Sequence, residues 1–447
     1  MTAAADTVTT SDDVRSRIEQ IVQEVLHVRL DWSDASIGFR RRPEWGSLQH
    51  VQILARLHDE FGIGRRPGDV DLLVSPQRIL ESLGGEPAAD DGAEPGQARI
   101  DRGLACTVLD ETRITSIDLA GSRLGFRGID ASWLSRHASY ASVARLLIDG
   151  TLAQPDAEHQ ALLAEGALLG RVANGAWDGS QPDLVARLAR PELAAAPPDD
   201  EAGLRRQGWR LLGAAVQLAS RSHDPAPLRD GIPEAICRGL PDPSDDVAAS
   251  LGALMVLQAD HGSSAAALAV RTAVSAGASL QHALLAGLAA FGGHRHGGAI
   301  GDVVRLIETC PDPDRLRQVV RTRLESGGVV PGFGHRVYRT QDPRVEPIRS
   351  LLVLAEERRR STWWSDRLRV IRAEHRDLER FGAVANVDFY AGPLLRLLGF
   401  ETASLTSLFA VARVSGWVAH AVEQMTAKTL IRPQLHYVGT PVKDGPL

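Results

Sequence analysis

Cysteine is scarce in this chain. Three occur in 447 residues, at Cys106, Cys237 and Cys310. They are too far apart for a disulfide framework or for the paired spacing of a metal site. The scarcity fits a reducing compartment, so a cytoplasmic protein without a resident metal is expected. Positive charge is not in excess either. Fifty Lys and Arg against 56 Asp and Glu leave a net charge of −6, and the pI is near 6.2. Composition therefore shows no nucleic-acid footprint. No uncharged apolar run has the length of a membrane span. The first residues are small, polar and acidic, which does not read as a signal peptide. Internal repeats and the strand alternation of a parallel sheet are also missing.

What is present is ordinary for a globular protein, with 44% hydrophobic and 24% charged residues. The length allows two or three domains. Asp12 to Leu26 carries Val14, Ile18, Ile21, Val22, Val25 and Leu26 at helical spacing. A second helix is predicted from Leu48 to Phe61, and a third apolar segment from Val70 to Leu83. Gly84 to Gly96 is rich in Gly, Ala, Pro, Asp and Glu and reads as a flexible linker. The expected division is residues 1–83, a linker at 84–98, and a large domain from 99 to 447. Arg99 to Arg127 holds β-branched residues and turn signals, so a short hairpin is predicted there. From Trp133 onward the pattern is helical, except for the proline-rich Gln181 to Leu204. The Ala/Leu/Val-rich stretches Asp245–Gln258, Ser263–Phe291 and Ser404–Thr429 are apolar over wide faces and should be buried. The expected class is all-α.

Two histidines stand among glycines, in Gly293-His294-Arg295-His296-Gly297-Gly298-Ala299 and in Pro331-Gly332-Phe333-Gly334-His335-Arg336-Val337. Asp342-Pro343-Arg344 follows. Glycine beside histidine lets a substrate approach closely, and imidazole suits carbonyl polarisation and proton movement near neutral pH. Alone, either histidine reads equally as a helix-end cap. Upstream lies Ala259-Asp260-His261-Gly262. Downstream lie Asn386-Val387-Asp388-Phe389-Tyr390-Ala391-Gly392, Arg413-Val414-Ser415-Gly416-Trp417-Val418-Ala419-His420 and Ile431-Arg432-Pro433.

In this order, these segments resemble the citrate synthase family, over about three quarters of the chain. The resemblance implies large and small helical domains and an obligate homodimer with shared active sites. It implies Claisen-type condensation of an acyl thioester with oxaloacetate or a similar 2-oxo dicarboxylate, giving citrate or an alkyl citrate. Asp388 matches the base, His296 the donor to the thioester carbonyl, and His335 the donor to the acceptor's oxo group. His261, Arg344, Arg413 and Arg432 match acceptor ligands, with Arg432 reaching the neighbouring subunit's site. Val330, Pro331, Gly332 and Arg336 match the region that meets coenzyme A. Arginine suits the carboxylates because its planar fork stays charged. Taken singly, Asp388 also reads as a helix N-cap or an arginine partner.

The sequence departs from the family at His294-Arg295, Ile300, Ser264, Ala266 and Ala267. A different acyl group, a different thioester carrier, citryl-thioester cleavage and neutral change all remain open there. The first module resembles an acyl carrier domain, from Glu44-Trp45-Gly46-Ser47-Leu48 to Phe61-Gly62-Ile63. Ser47 stands where that family attaches 4′-phosphopantetheine, but Gly46 replaces the usual aspartate, and Arg41, Arg42, Arg56, Arg65 and Arg66 surround it. Three readings follow. Ser47 is modified by a phosphopantetheinyl transferase, or it caps a helix, or the module docks a separate acidic carrier through its arginines. A fused carrier points to a biosynthetic pathway with a tethered donor. The alternatives are an ordinary citrate or 2-methylcitrate synthase using coenzyme A thioesters with a vestigial first module, and a non-catalytic docking scaffold.

Overall fold

Helical recurrence of apolar residues dictates most of the architecture in the computed structural model. It describes residues 11–28, 45, 47–61, 79, 111–118, 122–171, 180–194, 200–220, 231–326, 328–334, 337–338, 342–359, 362–380 and 384–433. Contacts divide the chain into two compact units, the second running from Glu111 to Leu435.

In the first unit, α1 (Ser11–Leu26) packs on α2 (Ser47–Phe61). Ile18, Ile21 and Val22 meet Ile53, Leu54, Leu57, Trp45 and Ile79 in a small core. Buried Trp45 donates its indole N–H to His50 Nδ1 at 3.1 Å, which satisfies both polar groups. Ion pairs Arg17–Glu60 and Arg56–Glu24 tie the two helices outside the core. Arg56 is the one arginine of the five around Ser47 among the described residues, and it is engaged by Glu24. Ser47 opens α2 as its first residue. The linker and most of the third apolar segment lie outside the described residues.

The second unit opens with a small antiparallel sheet of β1 (Thr115–Asp118), β2 (Arg123–Phe126) and β3 (Ile129–Asp130), in that order. Thr115 pairs with Phe126, and Phe126 with Ile129. Arg127 and Gly128 both have positive φ, the geometry of a two-residue hairpin turn. The predicted hairpin is thus present and gains a third strand.

Helices follow without further strands among the described residues. They are α3 (Ala131–His137), α4 (Tyr140–Asp149), α5 (Ala157–Arg171), α6 (Gln181–Leu188), α7 (Glu201–Ala219), α8 (Ile232–Cys237) and α9 (Asp245–Gln258). After them come α10 (Ala265–Ser275), α11 (Leu280–Phe291), α12 (Ala299–Thr309), α13 (Pro313–Glu325), α14 (Val345–Arg359) and α15 (Thr362–Arg380). The last two are α16 (Val387–Leu398) and α17 (Leu405–Ala427). Gly277, with φ +85°, separates α10 from α11 within a stretch that reads as continuously apolar. The proline-rich region is mixed: α6 and a short 3₁₀ turn at Pro191–Leu193 interrupt it.

Two features position the site. Helices α5 and α7 pack nearly backbone to backbone, since a Cβ on Gly166 would lie 1.9 Å from the Arg210 carbonyl oxygen. Helix α17 runs through the core. It is apolar on most faces and long enough to cross a bilayer, but its apolar stretch is 94% buried within the fold. Small residues let neighbours close on it. A Cβ on Gly416 would meet Asp260 Oδ1 and the Ala259 carbonyl at 2.5 Å, so the end of α9 can rest directly on α17.

Candidate active site

The turn after α9 begins with a buried carboxylate. Asp260 Oδ2 accepts from the Gly262 amide at 2.8 Å, which bends the chain around His261. The same oxygen accepts from the Thr115 hydroxyl on β1 and faces His420 Nε2 at 3.2 Å on α17. Arg271 Nε donates to His420 Nδ1 at 3.1 Å, so the ring hydrogen sits on Nε2 and points at Asp260. Arg271 in turn pairs with Glu423. Burial pushes the Asp260 carboxyl up, but His420, Arg413 and Thr115 together outweigh it and bring the group down to about 2. His261 itself lies within 3.2 Å of the Tyr338 hydroxyl and meets that ring edge-on. Burial pushes the Tyr338 phenol up to about 12, so it stays a neutral partner.

Beyond the turn, two arginines come together from distant parts of the chain. Arg344 follows Asp342-Pro343 at the start of α14 and is buried. Its Nε and Nη2 grip the two oxygens of Asp342 at 2.9 and 2.7 Å. Its Nη1 donates to Gln258 Oε1 at 3.4 Å. Arg413, from the middle of α17, donates to the same oxygen at 3.1 Å through Nη2. Burial disfavours the Arg344 charge, but the Asp342 pair more than offsets it and raises the group. For Arg413, burial and the nearby Arg344 charge lower the guanidinium to about 10, still cationic at neutral pH. The Asp342 grip uses Nε–H and one Nη2–H, and Gln258 uses one Nη1–H. Among the described residues, one N–H on each terminal nitrogen of Arg344 remains for a carboxylate.

Asp388 is the carboxyl facing this pair. It sits in the first turn of α16, but the cap is Asn386, whose Oδ1 accepts from the Asp388 amide at 3.0 Å. The N-cap reading of Asp388 is therefore set aside. Burial beside Phe389 pushes the carboxyl up to about 7, against the pull of Arg344 and Arg413 and with a push from Asp342. A carboxyl poised there can take a proton near neutral pH.

The loop leading to His335 is pinned to this helix. Gly334 donates to the Val384 carbonyl at 2.6 Å, and Asn386 donates its amide to Gly332 at 2.9 Å. Gly332 has φ +85°, and a Cβ there would meet Val303 and Phe389 at 2.9 and 3.0 Å. Val330 is buried and Pro331 half-buried beside it. His335 and Arg336 lie outside the described residues.

His296 comes from the glycine-rich turn between α11 and α12. Its ring meets Phe291 edge-on at 4.8 Å, and Phe291 meets Trp417 at 5.7 Å. Trp417 lies one turn along α17 from Arg413, which links His296 to the arginine pair. His294 and Arg295 are exposed, Ile300 is core, and Ser264 caps α10. Arg432 is exposed just past α17, and no hydrogen bond or ion pair joins it to the site among the described residues. Sequence reasoning had assigned no role to Gln258, Asp342, Tyr338, Asp260 or His420. Asp260, Asp342 and His420 stand inside the quoted motifs, and Gln258 and Tyr338 stand directly beside them.

These features define a helical enzyme whose paired buried arginines and raised carboxyl suit proton abstraction next to a bound anion. The chain matches the family "Citrate synthase, C-terminal domain" over residues 103–434. It is 31% identical over 361 residues to a 2-methylcitrate synthase of Mycobacterium tuberculosis, covering 76% of this chain and 91% of that protein. It is 28% identical to a citrate synthase of Haloferax volcanii, covering 76% and 95%. Among solved structures, Thermotoga maritima citrate synthase superposes with a TM-score of 0.65 at 24% identity, over 78% of this chain and 98% of that one. Thermoplasma acidophilum citrate synthase, in ternary complex with carboxymethyl coenzyme A and oxaloacetate, gives 0.68 at 21% identity over the same shares. This chain belongs to the citrate synthase family and is an enzyme of the citrate synthase type.

Proposed function

We propose that the enzyme condenses an acyl thioester with oxaloacetate. The observation that carries this reading is the convergence of Arg344, Arg413 and Gln258 with a carboxyl raised to about 7 at Asp388. Asp388 takes a proton from the donor's α-carbon while His296 donates to the thioester oxygen, where charge develops. The α-carbon then bonds to the oxo carbon of the acceptor, and His335 gives a proton to the new alkoxide. Arg344 and Arg413 hold the acceptor's carboxylates, and His261, steadied by Tyr338, lies against it. Water then cleaves the thioester and frees the thiol. Residues 330–332 and Arg336 receive the coenzyme A arm. Arg432 completes the site of a partner subunit in a homodimer.

The test is release of free thiol from acetyl- or propionyl-coenzyme A, dependent on oxaloacetate and lost in Asp388→Ala. Thiol release that ignores oxaloacetate or survives that substitution would sink the reading.

The first unit extends the proposal. Two packed helices with Ser47 at the start of the second fit a carrier-like module, residues 1–83, that delivers a tethered acyl donor in a biosynthetic pathway. Intact mass after co-expression with a broad phosphopantetheinyl transferase tests it. A mass gain lost in Ser47→Ala supports tethering. An unchanged mass leaves coenzyme A thioesters, or a separate carrier, as donor.

A further inference from the structure

Gln258 closes α9 and is 1% exposed. Its side chain lies between two guanidinium groups, 3.4 Å from Arg344 Nη1 and 3.1 Å from Arg413 Nη2. An amide can turn either its oxygen or its NH₂ toward a neighbour, and the two are hard to tell apart by shape. Here the neighbours decide. A guanidinium only donates, so the oxygen must face both arginines. The NH₂ group then bonds to neither guanidinium.

That NH₂ is buried and meets no acceptor among the described residues, and the same holds for Nη1 of Arg413. Buried donors are almost always paired, so two unmet donors on adjacent side chains mark a place for an acceptor. The surrounding charge favours an anion. Arg344 and Arg413 crowd each other, and burial together with that crowding is what lowers Arg413 to about 10. A neutral amide adds a directional donor without adding a third positive charge.

We propose that Gln258 is a substrate-contacting, specificity-determining residue that donates its amide N–H to a carboxylate of the acceptor bound beside Arg344 and Arg413. The inference rests on the function proposed above. One side chain then serves twice. Its oxygen spaces the two arginines, and its nitrogen reads the ligand. The acceptor selected is one that presents a carboxylate oxygen at this depth, as a 2-oxo dicarboxylate does.

The experiment is titration calorimetry of oxaloacetate into the full-length protein, with steady-state thiol release alongside. Gln258→Met keeps length and volume but donates nothing. It is expected to weaken oxaloacetate binding and raise its KM at least tenfold, with the KM for the acyl thioester within twofold of the parent. Gln258→Glu keeps an oxygen for both arginines but loses the donor. It also sets a negative charge beside the ligand carboxylate, so Gln258→Met carries the test of the donor and Gln258→Glu the test of the site. The proposal expects binding to be lost while thermal stability holds or rises. Unchanged oxaloacetate binding in either folded variant overturns the proposal. A parent protein that turns over without oxaloacetate overturns the underlying reading instead, and the assignment of Gln258 falls with it.

Discussion

Asn386 donates its side-chain amide to the Gly334 carbonyl at 2.9 Å. Its other end caps α16 at the Asp388 amide. One residue thus fixes the loop leading to His335 against the helix bearing Asp388. Serine caps a helix about as well as asparagine, within about 1 kcal/mol, but it is too short to reach Gly334. Asn386→Ser should leave stability nearly intact and lower kcat roughly tenfold or more, because reacting groups lose their mutual placement. Urea unfolding and steady-state kinetics on the same sample check this. A normal kcat would mean the loop is held by other contacts.

The Asp388 carboxyl, held at about 7, sets a pH dependence. As the proposed base, Asp388 must be ionised, so turnover should fall as pH drops below about 7, well above the usual aspartate range. Stability runs the opposite way. The folded state keeps this proton to higher pH than the unfolded chain, whose aspartates titrate at about 3.9. The group's stabilising contribution is therefore present below about 4 and lost as pH rises toward 7. Asp388→Asn removes the half-buried charge. It should abolish turnover yet raise stability at pH 8, on the order of 1–2 kcal/mol after allowing for partial solvent access. A lower melting temperature for this variant at pH 8 would contradict the assignment.

Asp260 gives the reverse stability profile. Its folded value near 2 lies below the unfolded one, so its contribution is present above about pH 4 and lost as pH falls toward 2. Asp260→Ala strands His420, Thr115 and the Gly262 amide, and should cost about 3–5 kcal/mol. Asp260→Asn should cost less and still impair oxaloacetate use, since the turn around His261 loosens. Denaturation midpoints from pH 3 to 7, with the KM for oxaloacetate at pH 7.5, measure both effects. A flat difference between parent and Asp260→Asn across that range would count against the buried pairing.

Arg432 is exposed past α17. If it completes a partner's site, Arg432→Ala and Asp388→Ala should each be inactive alone. Co-expressed, they should regain about a quarter of parental activity, because half the dimers are mixed and each mixed dimer has one intact site. An active Arg432→Ala enzyme would place Arg432 outside the catalytic machinery, and two inactive variants with no recovery in mixed dimers would place it in its own subunit's site.

The sequence by itself determined the helices and the order of the motifs. Apolar positions at helical spacing placed α1 within one residue of its start, and wide apolar faces marked α9, α11 and α17 as core. The Gly-His, Asp-Pro-Arg and Asn-Val-Asp segments pointed to His296, Arg344 and Asp388, because local residue order is what such motifs record. Tertiary structure alone decided how those groups are held. Gln258 reaches Arg344 across 86 positions and Arg413 across 155. Asp260 reaches Thr115 across 145 and His420 across 160. No periodicity spans such distances, since it reports which face of an element is apolar and not which polar groups meet inside. The raised carboxyl at Asp388 belongs to the same class. A pKa follows from burial and from neighbouring charges, and both exist only once α9, α14, α16 and α17 have closed around one point.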